Sequence, residues 1–404
     1  MADFDFLQPF VNKRVQFRFS RQELRFDLSQ SLFSSFDIDA GSRLLLKTVA
    51  TQLDMASFGS ALDVGCGVGV LGLSVKKVNP QIELVLQDRD ALAVAFAARN
   101  ARLNKLRDVV VQGGLAFQAV AGRRFDLILC NLPGKAGEPV LASLLAQMPL
   151  HLTAAGIAAV VVVKPLAEMV AGVLQQQGSE VTYREMGQGY AVFHFHGGTA
   201  VSPDAPLTLT PYLRAQPDFT IAKKSFALQT VHNVPEFDSV GYYTTLAASM
   251  LNGERVNGRV LFWNPGQGHL PVYLRLASGR EITHYTLAGR DALSLQISAQ
   301  NLETYGVPAA QIQQLHTSDF LQLPDEQYDW IILFPDVDAG VPWTQTLLPG
   351  SERLLLPGGK LLVTAKSTYV FRMLEKEQPF VKRQDRKKQG YRALLLSQHP
   401  QANL

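Results

Sequence analysis

The sequence predicts an α/β protein built from two tandem, doubly wound sheets. Three observations predict it. Short β-rich runs alternate with helical patterns along the chain, and a glycine-rich turn joins one such run to a helix near residue 65. The pattern then repeats after roughly 200 residues, the scale of a duplicated domain rather than a solenoid. With 404 residues the chain is too long for one ordinary core. It reads as a first domain over 1–200 with an N-terminal strand module, a linker over 201–218 and a second domain over 219–404.

The first elements follow from local pattern. Lys13–Arg25 alternates Val15, Phe17 and Phe19 with Arg14, Gln16 and Arg18, which predicts one strand with an apolar and a basic face. That suits a half-buried strand or a phosphate-contacting patch equally well. Strands are then expected near Ala61–Val64, Glu83–Gln87, Val109–Gln112, Asp126–Cys130, Ala158–Val163 and Ala191–Phe195. Continuous apolar strands separated by helices predict a parallel sheet covered on both faces, with a ligand beyond the carboxyl ends of its strands. Gly65, Asp88 and Asn131 all fall at such ends.

The second half carries the same signposts. Asp88-Arg89-Asp90-Ala91-Leu92 recurs as Gly289-Arg290-Asp291-Ala292-Leu293, and Asn100 as Asn301. Phe125–Leu129 recurs as Tyr328–Ile332, Ala136–Pro139 as Ala339–Pro342 and Gly189-Tyr190 as Gly390-Tyr391. The Pro-, Thr- and Ser-rich stretch Gly197–Asp218 lies between the copies.

The chemistry concentrates in the first copy. Asp63-Val64-Gly65-Cys66-Gly67-Val68-Gly69 puts an acid on a strand tip and three glycines at alternate positions before a helix. Glycines there let the backbone take positive φ and let a ligand lie against bare main chain. Asp88, about 20 residues on at the end of the next strand, can bind both hydroxyls of a ribose, and Arg89 follows it. Upstream, Phe33-Ser34 precedes the turn Asp39-Ala40-Gly41-Ser42 and the Leu-rich helix that follows. The loop after the fourth strand reads Asn131-Leu132-Pro133-Gly134-Lys135.

In order and spacing these segments resemble the class I S-adenosyl-L-methionine (SAM) methyltransferases. Within them they resemble the small-domain superfamily that includes the ribosomal-RNA guanine-N2 methyltransferases. The resemblance covers about residues 24–196, and the tandem arrangement echoes it. It implies a Rossmann-like fold in each half and SAM as cofactor, held by Asp39, Gly41, Ser42, Asp63, Gly65, Cys66, Gly67, Gly69, Asp88, Arg89 and Asn131. It also implies that Asn131 and the Leu132 carbonyl accept bonds from the target amino group, on a turn kept rigid by Pro133. The implied activity is N-methylation of a base amino group in ribosomal RNA.

The sequence departs from the family at two points. Amino-methylating relatives carry Asn-Pro-Pro-aromatic where this chain has Gly134, so the base-stacking ring is missing. That opens two alternatives, a small-molecule or protein acceptor and a SAM-binding scaffold without catalysis. Gln112-Gly113-Gly114 also lacks the acid usual near the adenine.

The second half has lost the acids. Phe262 stands for Asp63, Asn264 for the first glycine and Gly289 for Asp88. Its fourth-strand loop Phe334-Pro335-Asp336-Val337-Asp338 has no asparagine. A non-catalytic domain is expected, whose Trp263, Phe334, Asp336 and Asp338 serve as core and loop residues or line a reused pocket, with Asp319 a lone acid near an adenine position. In those relatives the degenerate half is usually the first; here it is the second.

Composition bounds the partners. A formal net charge of +3 demands no polyanion globally, so any RNA track must be local, from Lys13–Arg25, Lys223-Lys224 and the run Val381–Lys388. Cys66 and Cys130 make no disulfide framework, and both are placed in sheet-edge loops of a protein of the reducing cytoplasm. No signal peptide, membrane span or metal-ligand cluster is expected, His194 and His196 included, and a monomer is plausible.

Overall fold

The computed structural model describes residues 5–33, 36–198, 208–336, 341, 343–374 and 379–398. They fall into two compact units, Met1–Tyr212 and Leu213–Leu404. The stretch expected to link them lies partly outside the described residues.

The first unit opens with β1 (Lys13–Phe19) and β2 (Gln22–Leu28). It continues with α1 (Ala40–Gln52), β3 (Ser60–Val64), α2 (Val70–Val78), β4 (Glu83–Asp88), α3 (Ala91–Leu103), β5 (Val109–Gly113) and β6 (Phe125–Asn131). It closes with α4 (Glu138–Gln147), β7 (Leu152–Val163), α5 (Ala167–Gln176), β8 (Glu180–Met186) and β9 (Tyr190–His196).

The second unit runs β10 (Leu213–Ala215), β11 (Asp218–Ile221), β12 (Lys224–Ala227), β13 (Thr230–Val231), α6 (Tyr242–Leu251), β14 (Gly258–Trp263) and α7 (His269–Ser278). Then come β15 (Ile282–Gly289), α8 (Ala292–Thr304), β16 (Ile312–His316), β17 (Tyr328–Leu333) and α9 (Trp343–Leu354). The last elements are β18 (Leu355–Lys366), α10 (Ser367–Leu374), β19 (Phe380–Lys388) and β20 (Tyr391–Gln398).

Each unit is built on a seven-stranded sheet, in the orders β5-β4-β3-β6-β7-β9-β8 and β16-β15-β14-β17-β18-β20-β19. Equivalent strands occupy equivalent places, so the duplication read from sequence is a duplication of topology. Alternate residues along each strand feed two cores, as a doubly wound sheet requires. Leu127, Leu129 and Val161 pack with Leu45, Leu71 and Phe96 of α1, α2 and α3. Ile128, Cys130 and Val160 pack with Leu141, Leu144 and Val170 of α4 and α5.

Three expectations need correction. The sheets are mixed, because β9 runs antiparallel to β7 and β8 antiparallel to β9. The short turn between β8 and β9 permits only an antiparallel pair, and β8 escapes the sequence pattern because it is a largely polar edge strand. Lys13–Arg25 is a hairpin rather than one strand, turning at Ser20-Arg21, both at positive φ. Cys130 lies inside β6 and is buried in the core.

The hairpin is stitched to α3 by Asn100 and by Asn104 at the helix end. Asn100 accepts from the Asp27 N–H at 2.8 Å and donates to the Asp27 carbonyl at 3.1 Å and the Val68 carbonyl at 2.9 Å. It thus ties the glycine loop to the hairpin. Asn301 repeats the device on Gln229 and the Gln267 carbonyl. Buried Asp27 is held below the usual carboxylate range: burial would raise it, but the Arg14 and Arg99 guanidiniums at 2.6 and 2.8 Å outweigh that.

Candidate functional site

The glycine loop leaves β3 and enters α2. Gly65 and Gly67 take φ of 71° and 55°, and a Cβ built on either would meet nothing within 4 Å. Bare backbone therefore faces open space at both positions. Gly69 and Cys66 do other work. A Cβ at Gly69 would lie 2.8 Å from Leu73, and Cys66 is buried in the core, its N–H bonded to the Gln87 carbonyl at 3.0 Å.

Asp88 closes the far side of the loop. Its carboxylate accepts from the Gly67 N–H at 2.8 Å and the Asp90 N–H at 2.9 Å, leaving each oxygen a lone pair for a diol. Burial pushes its carboxyl up to about 6, against those two N–H bonds and the nearby charge of Arg89. The side chain keeps an open edge, so water moderates that push.

Asp63 is fully buried on the face covered by α2. One oxygen accepts from the Gly72 N–H at 2.8 Å, pinning the first turn of the helix, and the other has no partner among the described residues. Its one hydrogen bond braces the start of α2 against the end of β3. The orphaned oxygen is what remains for a cationic amino group. Burial pushes this carboxyl up to about 7, and the charge of Asp88 adds to it.

A pH dependence follows. The unfolded chain loses the Asp63 proton near pH 4 and the folded chain holds it to about 7, so stability contributed by this group declines as pH rises through that window. Asp63→Asn is expected to flatten the fall in melting temperature between pH 4 and 7. A variant whose melting temperature falls as steeply as the parent's would assign the effect elsewhere.

The second half of the site gathers around Asp39. This residue caps α1, accepting from the N–H groups of Gly41 and Ser42 at 2.9 Å each and from the Ser42 hydroxyl at 2.7 Å. The Asn131 amide nitrogen donates to the same carboxylate at 2.8 Å and to the Ser42 hydroxyl at 3.2 Å. That decides which way the Asn131 amide faces: its nitrogen is engaged, and its oxygen accepts no hydrogen bond among the described residues. Leu132 is anchored by its N–H on the Val161 carbonyl at 2.8 Å. Because β3 lies between β4 and β6, the loop, Asp88 and Asn131 share one end of the sheet, neighbouring strands about 4.8 Å apart.

Sequence reasoning missed Tyr190. Its hydroxyl bonds Asp39, and a Cβ at Gly41 would sit 2.8 Å from its ring, so Gly41 is glycine to admit this tyrosine. The recurrence of Gly189-Tyr190 as Gly390-Tyr391 was the available signal. At Gly134 a Cβ would lie 3.2 Å from Val163 and 3.4 Å from Leu166, so any side chain there would press those neighbours aside by a few tenths of an ångström.

The same end of the second sheet is filled by the chain itself. Asn264, at φ 59°, donates to the Phe334 carbonyl at 2.9 Å and to Asp336 at 3.0 Å. A Cβ at Gly289 would lie 2.5 Å from the Asn264 side-chain oxygen, so an acid there and this asparagine exclude each other. Glu236, largely buried, accepts from Thr244 at 2.9 Å and reaches toward Gly266. Tyr243, Phe334 and Tyr391 form an aromatic cluster, with ring centroids 5.4 and 5.9 Å from Tyr243, where the first unit has its polar group around Asn131. Asp319 caps the turn at Leu321. Asp338 lies outside the described residues.

The family described as methyltransferase small domain matches residues 23–194 and 228–393. Ribosomal RNA small subunit methyltransferase C of Pasteurella multocida is 37% identical over 138 residues, 33% of this chain and 40% of that protein. Ribosomal RNA large subunit methyltransferase G of Shewanella halifaxensis is 34% identical over 126 residues, 29% of each chain. These matches span well under two thirds of the relatives' lengths. The structure of T. thermophilus 16S rRNA N2 G1207 methyltransferase, solved with AdoMet and guanosine, aligns with a TM-score of 0.61 at 18% identity over 96% of this chain and 99% of that one. At that identity the likeness shows a shared tandem fold.

Proposed function

The chain belongs to the methyltransferase small domain family, and on that footing we propose that it is a SAM-dependent N-methyltransferase acting on an exocyclic amino group of a base in RNA, ribosomal RNA first. One observation carries the reading: the Asn131 amide is locked by Asp39 and Ser42 with its oxygen free to accept.

The residues fit the cofactor. Open space lies over Gly65 and Gly67, Asp88 has lone pairs left for two ribose hydroxyls, and the buried Asp63 oxygen lacks a partner. Bound SAM supplies an electrophilic sulfonium methyl. The chain's own work is positioning. Asn131 and the Leu132 carbonyl accept the two N–H bonds of the acceptor, which turns its lone pair toward the methyl group. Holding the pair together in that alignment supplies most of the rate. Relatives named as ribosomal RNA methyltransferases support RNA as the acceptor, and with it a cytoplasmic setting.

Gly134 favours a second reading, a small-molecule or protein acceptor, since it offers no stacking ring to a base. Radiolabel from SAM separates the two. Label in ribosomal RNA or subunits supports the first; label confined to protein or metabolites supports the second. SAM binding with no transfer to any acceptor would leave a scaffold. The second domain, plugged by Asn264 and Glu236, is read as non-catalytic. Calorimetry is therefore expected to give one SAM per chain, and two sites would overturn that reading.

A further inference from the structure

A cleft of about 420 Å³ opens on the β1–β2 hairpin, at the end of the first unit away from the glycine loop. Lys77 lies in the last turn of α2 and Lys105 just past the end of α3, whereas both helices begin beside the site, at Gly69 and Asp90. The nine residues of α2 place the cleft about 14 Å from the loop. Arg18 and Arg25 come from the exposed face of the hairpin. Four cations and one carboxylate, Glu23, thus line it, over a floor that includes Phe17 and Leu24.

The duplication supplies an internal control. The matching hairpin, β11–β12, keeps the same register and the same positive-φ turn, at Ala222-Lys223. It also keeps the stitch to the helix. Asn104 bonds the backbone N–H and carbonyl of Arg25 at 2.7 and 2.6 Å, and the Tyr305 hydroxyl bonds those of Ala227 at 2.9 Å each. Yet none of the five charges that line the cleft is kept, although Asp218, Lys223 and Lys224 stand elsewhere on this hairpin. Arg18 faces Glu23 where Thr220 faces Ser225, and Arg25 matches Ala227. Aligned from the helix caps Gly69 and Gly268, Lys77 matches Leu276; aligned from Asn100 and Asn301, Lys105 matches Gly306.

The fold therefore does not need these cations. Helix dipoles do not explain them either. Lys76, which donates to the Pro80 and Ile82 carbonyls, is matched by Arg275, so that duty is already met. Lys105 even holds φ 56° where the copy uses glycine at 74°, a conformation side chains resist. A charge kept at a strained position, absent from an otherwise faithful copy, belongs to a ligand.

We infer that this cleft binds backbone phosphates of the RNA substrate, one helix length from the transfer site. The inference rests on the RNA reading above. It predicts that Arg18→Thr, Arg25→Ala, Lys77→Leu and Lys105→Gly together, which write the copy's residues into the first unit, weaken binding of a ribosomal RNA fragment about 10-fold or more at physiological salt. The slope of log affinity against log salt should shrink by about 1 for each phosphate that is no longer neutralised. SAM affinity should not change. The pair Arg25→Ala and Lys105→Gly is the fallback if four changes impair folding; Lys105→Gly alone should leave the melting temperature equal or higher. Unchanged RNA affinity and slope, in a chain that methylates RNA, would overturn the cleft alone. A wild-type chain that binds SAM but no RNA would overturn the RNA reading and this inference with it.

Discussion

Asn131→Ala should reduce methyl transfer at saturating SAM by about 10²-fold or more, the scale on which loss of alignment at a reacting pair is felt. SAM affinity should stay within a few-fold of the parent, because the ribose and loop bonds are untouched. The fold should stand as well: Asp39 would lose one donor but still cap α1 through Gly41 and Ser42. Asn131→Asp is the sharper control. It keeps the shape but sets a carboxylate oxygen 2.8 Å from Asp39, where the amide now donates. Repulsion should swing the side chain out and lower the melting temperature, as alanine does not. Transfer by the alanine variant at the parental rate would remove Asn131 from the chemistry and leave the acceptor reading without its main support.

Asp88→Ala should act on the other substrate. Two hydroxyl bonds to a carboxylate disappear, each worth about 1.5–3 kcal/mol, so the SAM dissociation constant should rise about 10²–10⁴-fold. The Gly67 and Asp90 N–H groups lose their acceptor at the same time, which loosens the loop. Stability should change little, because burial already works against this carboxylate, pushing it up to about 6. Turnover at saturating SAM should remain near the parent's. The pair of variants thus splits cofactor binding from acceptor alignment. Calorimetry reads the first and label transfer the second; unaltered SAM binding by Asp88→Ala would place the cofactor elsewhere.

Much of this was open to reading in the chain. Repeated short motifs in the same order exposed the duplication, since a doubled fold keeps its turn and cap residues: Asp90 and Asp291 cap α3 and α8 in the same way. The strand ends followed from apolar runs meeting Gly65, Asp88 and Asn131. Edge strands were harder. β8 buries almost nothing, and with no apolar face it leaves no periodic signal. The hairpin hid for the opposite reason, its turn being formed by Ser20-Arg21 without glycine or proline.

What the sequence determined by itself was the architecture, the glycine loop between β3 and α2 and the loss of its neighbouring acids in the second copy. Each is local, written in residue type and spacing within a few turns of chain. What only the tertiary structure decided was orientation and occupancy. Asp39 and Asn131 are 92 residues apart, yet one hydrogen bond between them decides which atom of the amide is free. Tyr190 reaches the same carboxylate from the last strand of the sheet, and Asn264 fills a pocket that composition could only call degraded. Hydrogen bonds and exclusion act over ångströms between groups that the chain keeps far apart, so no sequence window contains them.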